Sequence, residues 1–316
     1  MNFELSEDQS LLMTSFEALL ERFRNPPHGE HGYVSYGEAL QAEVQQSGFL
    51  EIASQEGFGT LDAALLVHAA AACPVSVEIA SSALIGPLLE GRAAPLAIGW
   101  GLGKPMRYLP QAKTVCIIKG NDVLVGTPAP TDWEAVGGVV AYPLGILRSL
   151  PADTVKVAPD VAAAIRRRAL IGIAAEAAGL MKGALDLTVQ YVKDRQQFGH
   201  PLGHFQGIQH RLAESAQLAH GSRFLALQAA YEDDDKHASI ACLYTQEAMR
   251  KVNYDCHQFS GAMGLTLEYP LHLWTFRLKF LQGEAGGRAS QGQLVADTVW
   301  ASAAHEADHQ PVAAVG

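Results

Sequence analysis

The most informative stretch of the sequence is YVKDRQQFGHPLGHFQGIQHRLAE, which runs from Tyr191 to Glu214. Apolar residues at helical spacing lie before and after it, and Gly199-His200-Pro201 interrupts them. Glycine and proline end helices, so the stretch predicts a corner between two helices, the second beginning at His204 or Phe205. An arginine, an amide and a ring at such a corner suit a planar anion. Taken alone, the same residues favour a plainer interpretation, in which Arg195 is a surface charge and Phe198 fills the core.

Helical periodicity extends outward from this corner in both directions. Ser6 with Gln9 predicts the N-terminal cap of a first helix, whose apolar stripe runs from Leu11 to Phe23 before Asn25–Gly29 ends it. The remaining predicted helices are Tyr36–Gln46, Thr60–Ala72, Val77–Leu89, a long helix with its stripe from Ile165 to Tyr191, Phe205–Tyr231 and Lys236–Phe259.

The middle of the chain has a different pattern. Glycines and prolines separate short runs rich in valine and isoleucine, which is typical of strands. The predicted strands are Thr114–Ile118, Val123–Val125, Gly138–Tyr142 and Thr154–Val157. The sequence therefore predicts a mostly α protein with a helical N-terminal domain at 1–98, a reduced β domain at 99–157 and a C-terminal helical bundle at 158–316.

Composition excludes several classes of function. The 316 residues are 48% hydrophobic and 18% charged, with a net charge of −10, which is unfavourable for nucleic-acid binding. The most apolar stretch is too short to span a membrane, and the acidic N-terminus lacks a signal-peptide pattern, so we expect a cytoplasmic protein. The four cysteines form no CxxC pair and the histidines no metal-ligand spacing, so we expect reduced core thiols and no metal site.

The corner motif resembles the acyl-CoA dehydrogenase family. That family carries Asp-Arg-x-Gln-Phe-Gly-x-Pro followed by Phe-Gln, which matches Asp194–Pro201 and Phe205-Gln206. A second family motif, Gln-x-x-Gly-Gly and then Glu-Tyr-Pro, matches Gln258–Ala262 and Glu268–Pro270, with Ala262 replacing the second glycine. The resemblance implies an acyl-CoA dehydrogenase-like fold: a helical domain, a β domain and a four-helix bundle.

The resemblance also implies FAD, bound across a subunit interface, with an acyl-CoA as substrate and an electron-transfer flavoprotein or similar acceptor. In this family both motifs reach the ADP half of a neighbouring chain's FAD. Arg195 would bind the pyrophosphate. The other implied cofactor residues are Gln197, Phe198, Phe205, Gln206, Gln258, Gly261 and Ala262.

Two departures from the family pattern concern catalysis. The Thr-Glu-x-x-x-Gly-Ser-Asp element, which holds the flavin ring in the family, is missing between Gly99 and Pro159. The family's catalytic glutamate also has no counterpart, because its two possible positions fall on Ala285 and on Arg168 or Ala169. Glu284 is one place away and is a weak candidate base, but a solvated loop glutamate is the favoured interpretation.

Three hypotheses follow. The favoured one is a non-catalytic chain that completes the FAD site of a second acyl-CoA dehydrogenase chain in an α2β2 heterotetramer, like the shorter subunit of bacterial enzymes that shorten steroid side chains. The second is a complete homo-oligomeric acyl-CoA dehydrogenase with Glu284 as base. The third is a flavin-free scaffold that kept the bundle.

Overall fold

The computed structural model describes residues 4–25 and 33–307, in which helices flank a small β region and confirm the predicted mostly α class. The helices are α1 (Glu7–Leu20), α2 (Glu38–Gln46), α3 (Thr60–Ala71), α4 (Ala80–Ile85), α5 (Pro159–Asp194), α6 (Gln206–Glu232), α7 (Asp235–Ser260), α8 (His272–Leu281) and α9 (Gly287–Ala307). The strands are β1 (Leu96–Gly99), β2 (Pro105–Arg107), β3 (Thr114–Lys119), β4 (Asp122–Gly126), β5 (Trp133–Val136), β6 (Leu144–Leu147), β7 (Val155–Lys156), β8 (Gln196–Gln197) and β9 (His200–Pro201). None of the described helices is long and apolar enough to cross a membrane.

The first helix begins at the predicted cap. The Gln9 backbone N–H donates to the Ser6 hydroxyl over 3.1 Å, and the Ser6 N–H donates to the Gln9 side chain over 3.1 Å. This reciprocal capping box satisfies two backbone donors that the first turn leaves open. Phe16 and Leu20 are fully buried, in agreement with the predicted stripe. The predicted stop at Asn25–Gly29 falls, beyond Asn25, outside the described residues.

The β region forms two small sheets. One has the order β1-β3-β4-β7, in which β1 and β3 are parallel and the other pairs antiparallel, and the second is antiparallel with the order β2-β6-β5. The predicted strand at Gly138–Tyr142 is wrong, because Ala141 has a φ of +57° and the segment bends. The strands on either side of this bend, β5 and β6, pair with each other. Tyr142, the last residue of this bent segment, is buried.

Helix α5 is the central element of the fold. It has 36 residues, and every residue from Ala169 to Met181 is buried. A helix that is buried all round must have neighbours on every side. Helices α3, α4, α6, α7 and α8 all pack against it. The N-terminal helices and the bundle therefore share one long helix as their common wall.

Two glycines allow this close packing. A Cβ added at Gly179 would lie 2.2 Å from the carbonyl oxygen of His68 in α3, and one at Gly183 would lie 2.2 Å from Nε1 of Trp274 in α8. That Nε1 donates to the Ala72 carbonyl over 3.0 Å, at the end of α3. Because a carbonyl oxygen of α3 and the indole ring of Trp274 occupy the space of the missing methyl groups, α3 and α8 pack more closely against α5 than residues with a Cβ would permit at these two positions.

We expect Gly179→Ala to reduce the free energy of unfolding by about 1–3 kcal/mol, the usual cost of overpacking a tight core. Gly292→Ala in α9 is the matched control, since its new methyl group would meet no atom within 4 Å. The control should raise stability by about 0.5–1 kcal/mol, because alanine favours a helix over glycine. Urea unfolding of both variants measures the difference, and equal stabilities would contradict the close-packing argument.

Candidate functional site

The corner between α5 and α6 is a two-residue β-hairpin. Strands β8 and β9 pair Gln196 with Pro201 and Gln197 with His200, and the turn is formed by Phe198 and Gly199 at φ values of +56° and +82°. Two successive positive φ values are typical of hairpin turns whose twist matches the strands. The Phe198 ring is 86% exposed at the tip, so the interpretation of Phe198 as a core residue is wrong. The hairpin holds a large apolar ring outward, in a backbone conformation unfavourable for phenylalanine.

Arg195 lies at the base of this hairpin. Its backbone N–H donates to the Tyr191 carbonyl and its carbonyl accepts from Leu202, both over 2.9 Å, so the backbone is held on both sides. Its exposed guanidinium has no ion pair or hydrogen bond within the residues that the structure describes. With Tyr191, Asp194 and Tyr269 it lines an open depression of about 330 Å³. A free guanidinium beside an open depression is suited to an anion from outside the chain.

The second motif reaches the same depression through Tyr269. Its hydroxyl donates to the Leu187 carbonyl over 3.3 Å, and its ring lies 5.5 Å from the Tyr191 ring between centroids. The structure therefore brings the predicted Glu-Tyr-Pro element against the end of α5. This contact joins segments that are about eighty residues apart in the sequence.

The other predicted cofactor residues lie at two neighbouring helix ends. Phe205 precedes the first residue of α6, Gln206, and packs edge-on against Phe198 with 6.1 Å between ring centroids. Gln258 lies in the last turn of α7, and Gly261, at a φ of +56°, begins the following turn. Gln197, Gln206, Gln258, Gly261 and Ala262 are all exposed. The structure thus places all these residues at the surface, with polar groups and a ring available for contact.

Glu284 has a different environment, and its expected exposure in a solvated loop is wrong. Its side chain is 10% exposed and binds Arg107 of β2 in a forked pair, Nε to Oε1 over 2.9 Å and Nη2 to Oε2 over 3.0 Å. The third nitrogen of Arg107, Nη1, donates to Oε2 of Glu176 over 2.6 Å. The Tyr142 hydroxyl donates to Oε1 of the same glutamate over 2.7 Å. We call these four residues the Arg107 cluster.

Burial and charge act in opposite directions in the Arg107 cluster. Burial alone would lower the pKa of Arg107, but the carboxylates of Glu176 and Glu284 raise that pKa well above its ordinary value. Burial raises the pKa of Glu284, and Arg107 offsets only part of that effect. One cation for two acids leaves an excess negative charge, which the Tyr142 hydroxyl hydrogen bond helps to stabilise.

This arrangement leaves Glu284 without a free oxygen for proton abstraction. Both its carboxylate oxygens face Arg107, and the cavity beside it, which also touches Trp100 and Arg168, measures only about 20 Å³. Arg168, at the other possible base position, donates to Asp233 over 2.9 Å and to the Leu84 carbonyl over 3.1 Å. Within residues 4–25 and 33–307 there is also no group of three potential metal-binding side chains.

The other members of the Arg107 cluster were not predicted from the sequence. The signal for Glu176 was a lone acid between Ala174-Ala175 and Ala177-Ala178, where an amphipathic helix would have placed an apolar residue. A buried acid requires a buried cation or donor, but the sequence does not show which of 23 basic residues supplies it.

Comparison with known proteins identifies relatives of this chain. Residues 167–300 match the family model described as acyl-CoA dehydrogenase, C-terminal domain. The acyl-CoA dehydrogenase IpdE2 of Mycolicibacterium smegmatis is 26% identical over 293 residues, which cover 85% of this chain and 92% of that protein. A structure of the ChsE4-ChsE5 complex from Mycobacterium tuberculosis has a similar fold, with a TM-score of 0.75 at 19% identity over 99% of this chain and 100% of that chain. The Tcur3481-Tcur3483 steroid ACAD G363A variant gives a TM-score of 0.79 at 21% identity over 94% and 99% of the two chains.

We expect Arg107→Leu to destabilise the protein by about 3–5 kcal/mol at pH 7, because it leaves two buried acids without their cation. Without Arg107, burial should raise the pKa of Glu284 further above that of the unfolded chain. An acid whose pKa is raised by folding stabilises below its unfolded pKa and loses that stability as pH rises through the folded pKa. The deficit should therefore shrink as pH falls toward about 4.

Urea unfolding at pH 7.5 and pH 5 measures this dependence. Arg148→Leu is the control, since Arg148 pairs with Glu134 at the surface and should cost no more than about 1 kcal/mol at either pH. An Arg107→Leu variant as stable as the parent at pH 7.5 would show that the cluster does not support the fold.

Proposed function

We propose that this chain, whose residues 167–300 match the acyl-CoA dehydrogenase C-terminal domain, is a non-catalytic subunit of a heteromeric acyl-CoA dehydrogenase. It would complete the FAD site of a second acyl-CoA dehydrogenase chain, in an α2β2 assembly. The observation that carries this proposal is the forked pair between Arg107 and Glu284, which occupies the only candidate catalytic carboxylate that the sequence offers.

A general base must reach the proton that it removes. The Glu284 carboxylate faces a guanidinium, and the neighbouring cavity of about 20 Å³ is far below the ~300–1,000 Å³ typical of ligand sites. An acyl thioester does not fit that space. This favours the non-catalytic hypothesis over the homo-oligomeric enzyme that would use Glu284.

The corner between α5 and α6 fits the ADP half of FAD. Arg195 would bind the pyrophosphate through forked hydrogen bonds, with Gln197 and Phe198 beside it. Phe205 and Gln206 would contact the adenosine, and Gln258–Ala262 would bring backbone close to the cofactor, as the family resemblance implies. When bound, FAD supplies the acceptor for a hydride from the substrate's β-carbon.

The part of the chain that the structure describes offers no site that matches the flavin-ring half of FAD. The Thr-Glu-x-x-x-Gly-Ser-Asp element is missing, and the Arg107 cluster fills the space beside Glu284. The partner chain would therefore supply the ring-binding residues and the catalytic base. If two unlike chains share one FAD site, both the exposed corner between α5 and α6 and the small volume of the cavity beside Glu284 are explained.

The relatives support this assembly and a substrate class. The ChsE4-ChsE5 structure is a complex of two different chains, and another neighbour is described as a steroid ACAD. We propose that the substrate is an acyl-CoA with a bulky polycyclic acyl group and that the electron acceptor is an electron-transfer flavoprotein or a similar carrier. The flavin-free scaffold remains the alternative, which the free guanidinium of Arg195 disfavours.

Co-expression with other acyl-CoA dehydrogenase chains of the same genome tests the proposal. The chain alone should be colourless and the heteromer yellow. Arg195→Ala should weaken FAD binding to the heteromer about 10- to 100-fold, since a charged hydrogen bond to phosphate is lost. Arg195→Lys should recover only part of the affinity, because an ammonium cannot bridge two oxygens.

Arg250→Ala is the matched control, because Arg250 is an exposed arginine on α7 that pairs with Glu247. It should keep the full flavin content, measured by absorbance per heteromer. A yellow, active chain without any partner would support the homo-oligomeric hypothesis. A colourless heteromer would support the scaffold.

Glu284→Gln should leave turnover of the heteromer within about threefold of the parent, since this carboxylate would not remove the α-proton. If it were the base, turnover should fall by about two to four orders of magnitude. The matching change of the partner's base should abolish turnover. A thousandfold loss in Glu284→Gln, with FAD retained and the melting temperature unchanged, would show that Glu284 is catalytic.

A further inference from the structure

A cavity of about 420 Å³ lies between α1, α3, α5 and α6. It shares no lining residue with the small cavity beside Glu284 or with the depression beside Arg195. Its size falls within the range of small-molecule sites. The proposed FAD contacts and the Arg107 cluster do not account for it.

The walls of this cavity are mainly apolar. Leu65, Leu185 and Leu212 contribute the large side chains, and small residues leave the space between them. These small residues come from three different helices: Ala69 and Ala72, Ala178, and Ala216 and Ala219. In most protein interiors larger side chains fill an apolar space of this size, because an empty apolar cavity reduces stability.

Arg223 is a cation without a counter-charge at this cavity. Within the described parts of the chain it forms no ion pair and no hydrogen bond. Its guanidinium carbon lies 5.5 Å from the centroid of the Phe224 ring, in a cation–π contact. Partial burial lowers its pKa. The other cations at the cavity have partners, since Lys182 pairs with Asp186 and Arg24 with Glu21. Glu17, the remaining acid of the lining, is exposed on α1.

His68 also lines the cavity, and its pKa responds to the charged groups around it. Burial is the main cause that lowers the pKa of His68 to about 3, and Arg223, Lys182 and His220 lower it further. Arg223, Lys182 and His220 therefore border one apolar-walled space, and Lys182 is already paired with Asp186, an acid of the same lining. An anion in the cavity would supply the partner that Arg223 lacks.

We propose that this cavity binds a long-chain monocarboxylate, with its carboxylate on Arg223 and its hydrocarbon chain along the walls formed by α3, α5 and α6. One unpaired guanidinium matches one carboxylate, and the apolar lining matches an alkyl chain. A neutral lipid would cover the half-buried cation without giving it a partner, which is unfavourable. A phosphate ester with a small polar body would leave the leucine and alanine walls uncovered. The inference is independent of the proposed FAD contacts.

Isothermal titration of the full chain with dodecanoate and with dodecanol tests the proposal. Dodecanoate should bind at least tenfold more tightly than dodecanol, which has the same chain without the charge. Arg223→Gln should weaken dodecanoate binding about 10- to 100-fold and leave dodecanol binding unchanged, since one charged hydrogen-bonded contact is lost. Arg250→Gln, an exposed arginine away from the cavity, is the matched control and should bind dodecanoate like the parent.

Ala216→Phe provides a second, independent variant. Its ring should fill the cavity and abolish the binding of both probes, while the melting temperature without probe stays at or above that of the parent. Equal affinities for dodecanoate and dodecanol would overturn the proposal. So would dodecanoate binding that survives Arg223→Gln or Ala216→Phe, or no binding of dodecanoate at 1 mM. Each of these outcomes would leave the FAD proposal untouched.

Discussion

A buried guanidinium must be neutralised, and the arrangement of the whole chain depends on how this is done for Arg107. Its three donor nitrogens reach two carboxylates that lie 69 and 177 residues further along the sequence. The residues of the Arg107 cluster come from β2, from the bend before β6, from α5 and from the turn after α8. Removing Arg107 would leave two buried acids without a cation, so the cluster holds the β region, the central helix and the end of the bundle in one relative position.

A second buried arginine makes a similar connection without acids. Arg277 of α8 is 2% exposed, and its Nη2 donates to the carbonyls of Cys73 and Pro74 over 2.8 and 3.2 Å. These carbonyls follow α3, so Arg277 joins the bundle to the N-terminal helices through backbone acceptors. Together with the close packing at Gly179 and Gly183, it makes α5 and α8 a rigid base for the surface motifs.

The functional candidates fall into two sets, one buried and paired with other residues and one exposed at the surface. Inside, Glu284 and Arg107 satisfy each other, and that satisfaction leaves no carboxylate free for proton transfer. Outside, Arg195 has no partner among the described residues, and Phe198 is held outward on a hairpin tip. A chain that completes another chain's site needs this combination: a closed interior and an exposed, rigidly held corner. The Arg107 cluster fills most of the space beside Glu284.

The sequence by itself determined the elements whose signals are local. The capping box at Ser6, the long stripes of α5, α6 and α7, the strands β3 and β4, and the corner after Asp194 follow from periodicity and turn residues within a few positions. The family resemblance likewise rests on motifs that are contiguous in the chain and that remain at the surface. Only the tertiary structure decided the bend at Gly138–Tyr142, the outward ring of Phe198 and the burial of Glu284. The physical reason is distance along the chain: a charge is buried or solvated according to its partner, and the partner of Glu284 is a strand residue 177 positions away.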